Sequence, residues 1–303
     1  MQNKIAVLGE CMVELWSDND CYRQGFAGDT LNTAIYLSRL LGNSAQVAYI
    51  TGIGKDDLSQ AMLAYWAAEN IDTSSAVTVP DKQPGLYMIK TDENGERRFL
   101  YWRNDSAARY WLAPLSVEEI TVLLDKYNYL YLSGISLAIL PTNDREKLLT
   151  AIEKAKVKVI FDNNYRPALW ENIESTKSVY RRILSIAEIA FLTFEDDQAL
   201  YGFTDYQQSV DFSLGLGVKE VVVKRGKEPC IVVTPTDRYE IAATKVEKVI
   251  DTTAAGDSFS AGYLAKRLQG GTMVESAQAG HKLAGTVIQH KGAIIPKKVM
   301  PLI

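Results

Sequence analysis

The feature that most restricts how this 303-residue sequence can fold is its repeated alternation of short apolar runs with helical stretches. Residues 4–8 form an apolar-rich run closed by Gly9, which suits a buried parallel strand. Residues 29–41 follow with Leu31, Ala34, Ile35 and Ser38 on one face at helical spacing, and Gly42 stands where a left-handed residue ends a helix. Further strands are predicted at 46–51, 129–132, 157–161, 189–193 and 220–224, separated by helical stretches that include 58–69 and two helices beginning near 257 and 273. The helix after 129–132 is expected to open with a capping box of Asn143 and Glu146. Repeated strand–helix–strand units predict an α/β fold, a mostly parallel sheet with helices on both faces.

One segment breaks this rhythm. Between Gln83 and Trp102, two β-prone runs flank Asn94-Gly95, a strong hairpin signal. Together with residues 12–16 they predict a small sheet standing off the main domain. No repeat, low-complexity tract or linker interrupts the sequence. Residues 1–303 therefore read as one α/β domain carrying a small β-sheet formed by segments near 11–17 and 83–103. Its exposed edges and the apolar Leu86, Met88, Phe99 and Tyr101 predict a homo-oligomer, at least a dimer, paired through this sheet.

Composition narrows the function classes. Lys and Arg number 33 against 37 Asp and Glu, a net charge of −4, and 47% of residues are hydrophobic. That balance excludes intrinsic disorder and leaves no basic excess for nucleic acid as the main partner. No stretch approaches the ~20 apolar residues of a membrane span. The first residues lack a long apolar run and a small-residue cleavage site, so no signal peptide is expected. Cys11, Cys21 and Cys230 are scattered, without a CxxC pair, and read as reduced thiols of a cytoplasmic protein.

The chemistry concentrates in Asp251-Thr-Thr-Ala-Ala-Gly-Asp257. Small residues run directly into a helix, so its first-turn amides stand open and, with the positive end of the dipole, form an anion site. Asp257 lies at the same terminus. A carboxylate beside an anion hole can take the proton of an alcohol attacking phosphorus. Equally, an aspartate there can simply be an N-cap. The residues alone leave both readings open.

This segment resembles the C-terminal signature Asp-x-x-Gly-Ala-Gly-Asp of the ribokinase-like (PfkB-type) sugar kinases. Gly28-Asp29 with Asn32 resembles their N-terminal substrate motif, and the resemblance runs through essentially the whole sequence. Tyr101-Trp-Arg103-Asn-Asp-Ser-Ala-Ala and Phe161-Asp-Asn-Asn-Tyr-Arg166-Pro are similar to the branch that phosphorylates the 6-hydroxyl of a sugar acid with ATP and Mg²⁺. The resemblance implies a ribokinase-like fold with the small sheet as a lid, and Asp257 as catalytic base. It implies that Ala254, Ala255 and Gly256 line the anion hole, and that Gly28, Asp29 and Asn32 contact sugar hydroxyls. Tyr87, Tyr101 and Arg103 become substrate contacts from the lid, and Arg166 lies between substrate and nucleotide with Asn164 beside it. Lys224, Arg225 and Gly226 become the turn that meets ATP.

Two arginines carry the substrate class within that frame. A sugar acid needs a cation, and the Arg103 guanidinium is expected to hold its carboxylate. Arg166 is expected to face the transferring phosphate. Alanines replace the first glycine of each motif, Ala27 and Ala254, so the loops are expected to differ slightly in shape. The family's Asn-x-x-Glu motif aligns with Thr193-Phe-Glu195-Asp196, which leaves the direct Mg²⁺ ligands unassigned.

Weaker signals have plainer explanations. Gly52-Ile-Gly54-Lys55 lacks the spacing of a phosphate loop and reads as a strand-end turn. His281 and His290 make neither a metal cluster nor a triad and read as surface or packing residues. Glu14 is expected at the solvent or the lid rim, and Glu10 within reach of substrate. Tyr101, Trp102, Tyr110 and Trp111 read as lid sheet and dimer interface. The alternatives are a kinase of a neutral sugar such as fructose or ribose, or a non-catalytic sugar sensor. A nicotinamide-dependent oxidoreductase is excluded, because Gly9-Glu-Cys-Met12 is not a pyrophosphate-binding turn.

Overall fold

A strand buried on both faces needs apolar side chains at consecutive positions, and the first strand shows why its sequence does not alternate. In β1 (Asn3–Leu8), Ile5 and Val7 enter one core layer while Ala6 and Leu8 enter the other. The structure is a computed structural model that describes residues 2–18, 21–91, 97–243 and 245–303. The strands after β1 are β2 (Met12–Asp18), β3 (Cys21–Ala27), β4 (Ala45–Ile53), β5 (Ile71–Asp72), β6 (Ala76–Thr78), β7 (Leu86–Thr91) and β8 (Arg97–Trp102). They continue with β9 (Tyr129–Ser133), β10 (Lys158–Asp162), β11 (Ala187–Thr193), β12 (Glu220–Lys224), β13 (Cys230–Val233) and β14 (Arg238–Ile241).

Among the described residues, the main sheet runs β14-β13-β12-β11-β10-β9-β1-β4-β5, with β6 also pairing β4. The pairs from β12 through β5 are parallel, while β13 and β14 add an antiparallel edge. Helices cover both faces, as expected. One layer holds the helices Asp29–Leu41, Ala255–Leu268 and Met273–Val287. Glycines let the last two approach closely: a Cβ on Gly262 would stand 2.8 Å from the Ala279 carbonyl oxygen, and one on Gly280 2.9 Å from that of Phe259. No helix among the described residues is long and apolar enough to cross a membrane.

The second sheet has the order β3-β2-β7-β8. Its β2 pairs parallel with β7 and antiparallel with β3. The strand β3 is absent from the sequence expectation. Cys-Tyr-Arg-Gln-Gly-Phe-Ala has no apolar alternation, because β3 is a largely exposed edge with only Ala27 buried. The Asn94-Gly95 turn lies outside the described residues. Elsewhere the expected elements hold to within a few residues, with one correction at a helix start. The helix Thr142–Lys154 follows Pro141 and has no side-chain cap. Glu146, expected in a capping box, instead accepts from Arg182 Nη1 at 2.6 Å. The three cysteines are free, Cys11 and Cys230 buried and Cys21 exposed.

Candidate active site

The carboxyl ends of parallel strands are where open α/β sheets leave room for ligands. Here β9, β10, β11 and β12 end at Ser133, Asp162, Thr193 and Lys224, and the N-termini of the helices Asp29–Leu41 and Ala255–Leu268 meet them there. Two cavities result, of about 400 and 560 Å³. They share a boundary of Thr193, Lys224, Ala255 and Gly256.

The smaller cavity gathers residues from distant parts of the chain: Gly28, Asp29, Asn32, Tyr87, Tyr101, Arg103, Asn164, Arg166 and the run from Ala254 to Asp257. Gly28 has no room for a side chain, since a Cβ would fall 2.2 Å from the Glu10 carbonyl oxygen. Asp29 is held by two donors, Ser133 Oγ at 2.6 Å and Asn164 Nδ2 at 2.7 Å. Asn164, expected beside Arg166, lines this cavity together with it, at a positive φ of 26°.

Asp257 is the third residue of its helix, whose N-cap is Ala254 with no side-chain bond. The N-cap alternative for Asp257 is thereby removed. Its carboxylate opens on the cavity and accepts from Asn32 Nδ2 at 2.8 Å. The enclosing protein pushes its pKa up to about 7, with the Asp29 carboxylate as the next cause. The Asn32 hydrogen bond and the Lys224 cation pull the other way. Burial and charge repulsion outweigh these two, and the group is poised for proton transfer near neutrality. Asn32 Oδ1 is buried without a hydrogen-bond donor, an acceptor available to a ligand hydroxyl.

The residues expected on the lid behave unequally. Arg103 is buried and ion-paired through Nη2 with Glu10, which is only 2% exposed. Its Nε has no partner. Tyr87 donates its hydroxyl to Glu14, and Tyr101 stands half-exposed at the cavity edge. Arg166 lies at the exposed rim, 3.3 Å from Asp196. Of the expected aromatic lid, Tyr101 and Trp102 belong to β8, but Tyr110 and Trp111 lie outside this sheet. Trp111 is buried in the core, with its Cβ close to Gly52.

The larger cavity combines Lys224, Arg225, Gly226, Ala255 and Gly256 with an apolar wall that includes Val246, Phe259, Ala284 and Ile288. Gly226 sits at φ +59°, as its turn requires. Arg225 is held by the Pro229 carbonyl at 2.8 Å and Glu240 at 3.1 Å. Sequence reasoning missed His281, which lines this wall edge-on to Phe259 with its ring nitrogen on the Ile241 carbonyl. It also missed Asp162, a charge ending an apolar strand, which was a readable signal. Ser133 gave none. Among the described residues no group of three or more His, Cys, Asp or Glu side chains could hold a metal ion.

Comparison with known proteins agrees with this geometry. A family model described as pfkB family carbohydrate kinase matches residues 2–300. The 2-dehydro-3-deoxygluconokinase of Escherichia coli K12 is 50% identical, over 99% of this chain and 100% of that protein. That of Dickeya dadantii is 48% identical over 98% of each. A fructokinase structure with bound ATP from Xylella fastidiosa superposes with a TM-score of 0.84 at 21% identity, covering 99% of this chain and 96% of the other.

Proposed function

Because the chain belongs to the pfkB family of carbohydrate kinases, we propose that it transfers the γ-phosphoryl group of ATP to the 6-hydroxyl of 2-dehydro-3-deoxy-D-gluconate. The products are ADP and 2-dehydro-3-deoxy-6-phospho-D-gluconate. The observation that carries this reading is Asp257, a carboxylate of raised pKa on the anion-binding helix terminus where the two cavities meet. The sugar acid occupies the smaller cavity, with Asp29 and Asn32 on its hydroxyls. ATP occupies the larger one, its base against the apolar wall and its phosphates toward Ala255 and Gly256.

In the reaction, the 6-hydroxyl oxygen forms a bond to the γ-phosphorus. The bond from that phosphorus to the β–γ bridging oxygen breaks, and its electron pair leaves with ADP. Asp257 takes the hydroxyl proton. The amides at the helix start meet the charge on the phosphoryl oxygens. Thr193, Glu195 and Asp196 are oxygen donors near the shared boundary, a set suited to Mg²⁺ carried in with the nucleotide. When bound, Mg²⁺ would offset phosphate charge. Arg103 holds the substrate carboxylate, Arg166 faces the phosphoryl group, and the four-stranded sheet serves as the lid of a single catalytic unit. A cytoplasmic enzyme fits ATP as the donor.

A second reading, a kinase of a neutral sugar, draws on the Glu10–Arg103 pair, which already balances the Arg103 charge. ADP release measured with sugar acids, fructose and ribose separates the two. Faster turnover of fructose than of 2-dehydro-3-deoxygluconate would replace the first reading by the second.

A further inference from the structure

Lys224 is the only cationic side chain among the described residues that lines both cavities. It is not free to sample the space between them. Its Nζ lies 2.7 Å from Asp162 Oδ2 and 3.5 Å from Ser260 Oγ, and sits over the Phe191 ring. The same carboxylate oxygen accepts from Ser260 Oγ at 3.0 Å and from the Tyr131 hydroxyl at 3.2 Å. Asp162 is 4% exposed and comes from β10, Tyr131 from β9, Lys224 from β12 and Ser260 from the anion-binding helix. A Cβ on Gly256 would stand 3.5 Å from the ammonium, so the cation lies against the first turn whose amides form the anion site.

We propose that Asp162 is a positioning residue for phosphoryl transfer: with Ser260 and Tyr131 it fixes the Lys224 ammonium at the boundary of the two cavities, where the γ-phosphoryl group crosses. The inference rests on the kinase reading and adds to it. The phosphoryl group leaves the ADP oxygen on one side of this boundary and joins the sugar oxygen on the other. Charge on its equatorial oxygens persists throughout the crossing, so a cation fixed at the boundary acts on the transition state. A lysine stem has four rotatable bonds, and an untethered ammonium would spend most of its time elsewhere. The three donors on Asp162 hold the carboxylate itself in one orientation, so the tether is stiff at both ends.

The test is a double-mutant cycle in the full chain with ATP and 2-dehydro-3-deoxygluconate. The unmutated enzyme is assayed first, and absence of turnover there overturns the kinase reading and this inference with it. Lys224→Met is expected to lower kcat about 100-fold, as loss of one preorganised charge does. Asp162→Asn, which keeps shape and the bonds to Ser260 and Tyr131, is expected to lower kcat about tenfold with the sugar KM within about twofold of the unmutated value. In the Lys224→Met background, Asp162→Asn is expected to change kcat by less than about twofold, because Asp162 acts through Lys224. Losses that multiply, or an unchanged kcat for Asp162→Asn, overturn the proposal. So does a fall in melting temperature with undiminished kcat per folded molecule, which marks a purely structural pair. If Asp162→Asn does not fold, Ser260→Ala replaces it in the same cycle, with a loss of about threefold expected only while Lys224 is present.

Discussion

Replacing Arg103 is the direct test of a carboxylate-bearing substrate, and the structure shows that the simplest variant would mislead. Arg103 and Glu10 are 8% and 2% exposed and form a buried ion pair. Arg103→Leu alone would leave Glu10 buried without a cation, at a cost of about 3–5 kcal/mol. Against a total stability of about 5–15 kcal/mol, that loss alone can depress activity for any substrate. The informative variant removes both charges, Glu10→Gln with Arg103→Gln, which is expected to leave stability nearly unchanged because neither ion then pays for desolvation. A charge-assisted bond to the sugar carboxylate is worth about 1.5–3 kcal/mol, so its loss should raise KM for the sugar acid about 10- to 150-fold. Turnover should change little, since the carboxylate is bound similarly in ground and transition states. Initial rates by coupled ADP detection, at saturating ATP and varied sugar, measure both constants. Fructose, which has no carboxylate, should lose less than about threefold in kcat/KM. Equal losses for the two sugars, or an unchanged KM for the acid, would refute Arg103 as the carboxylate clamp.

Asp257→Asn should reduce kcat about 10²–10⁴-fold while the melting curve stays cooperative. In the unmutated enzyme kcat/KM should fall about tenfold per pH unit below about 7, because the base there carries its proton. A pH-independent rate across that range would exclude it as base. Ala254 occupies the left-handed region at φ 60°, which costs an L-residue about 1–2 kcal/mol. Glycine's greater freedom in the unfolded chain returns about 0.5–1 of that, so Ala254→Gly should gain up to about 1.5 kcal/mol in denaturant unfolding, and a loss would contradict the strain. The four-stranded sheet leaves Tyr22, Phe99, Tyr101 and Trp102 between 41% and 59% exposed. Pairing of two such sheets predicts a dimer by sedimentation velocity that Phe99→Asp with Trp102→Asp converts to monomer, and a native monomer at all concentrations would remove the prediction.

What could be read from the sequence divides along a physical line. The strands of the main sheet were legible because burial on both faces demands consecutive apolar residues, as Ile5, Ala6, Val7 and Leu8 show. The edge strand β3 escaped because solvent imposes no such demand. Gly42, expected to be left-handed, takes a positive φ of 49° but with ψ at −124°, whereas Ala254 at φ 60° and ψ 18° is left-handed without being glycine, a conformation only the surrounding fold can impose. The proposed anion site was legible because its parts are contiguous: small residues, helix start and carboxylate fall within Asp251 to Asp257. What makes the carboxylate usable is not contiguous. Its raised pKa depends on enclosure and on Asp29, and its hydrogen bond comes from Asn32, 225 positions away. Asp29 in turn is oriented by Ser133 and Asn164, which nothing local distinguishes from turn residues. A motif therefore locates the candidate base, while its protonation state and aim are properties of the assembled sheet. That is why Asp162, given no role of its own within the Phe161 to Arg166 segment, becomes informative once the ends of β9, β10 and β12 stand side by side.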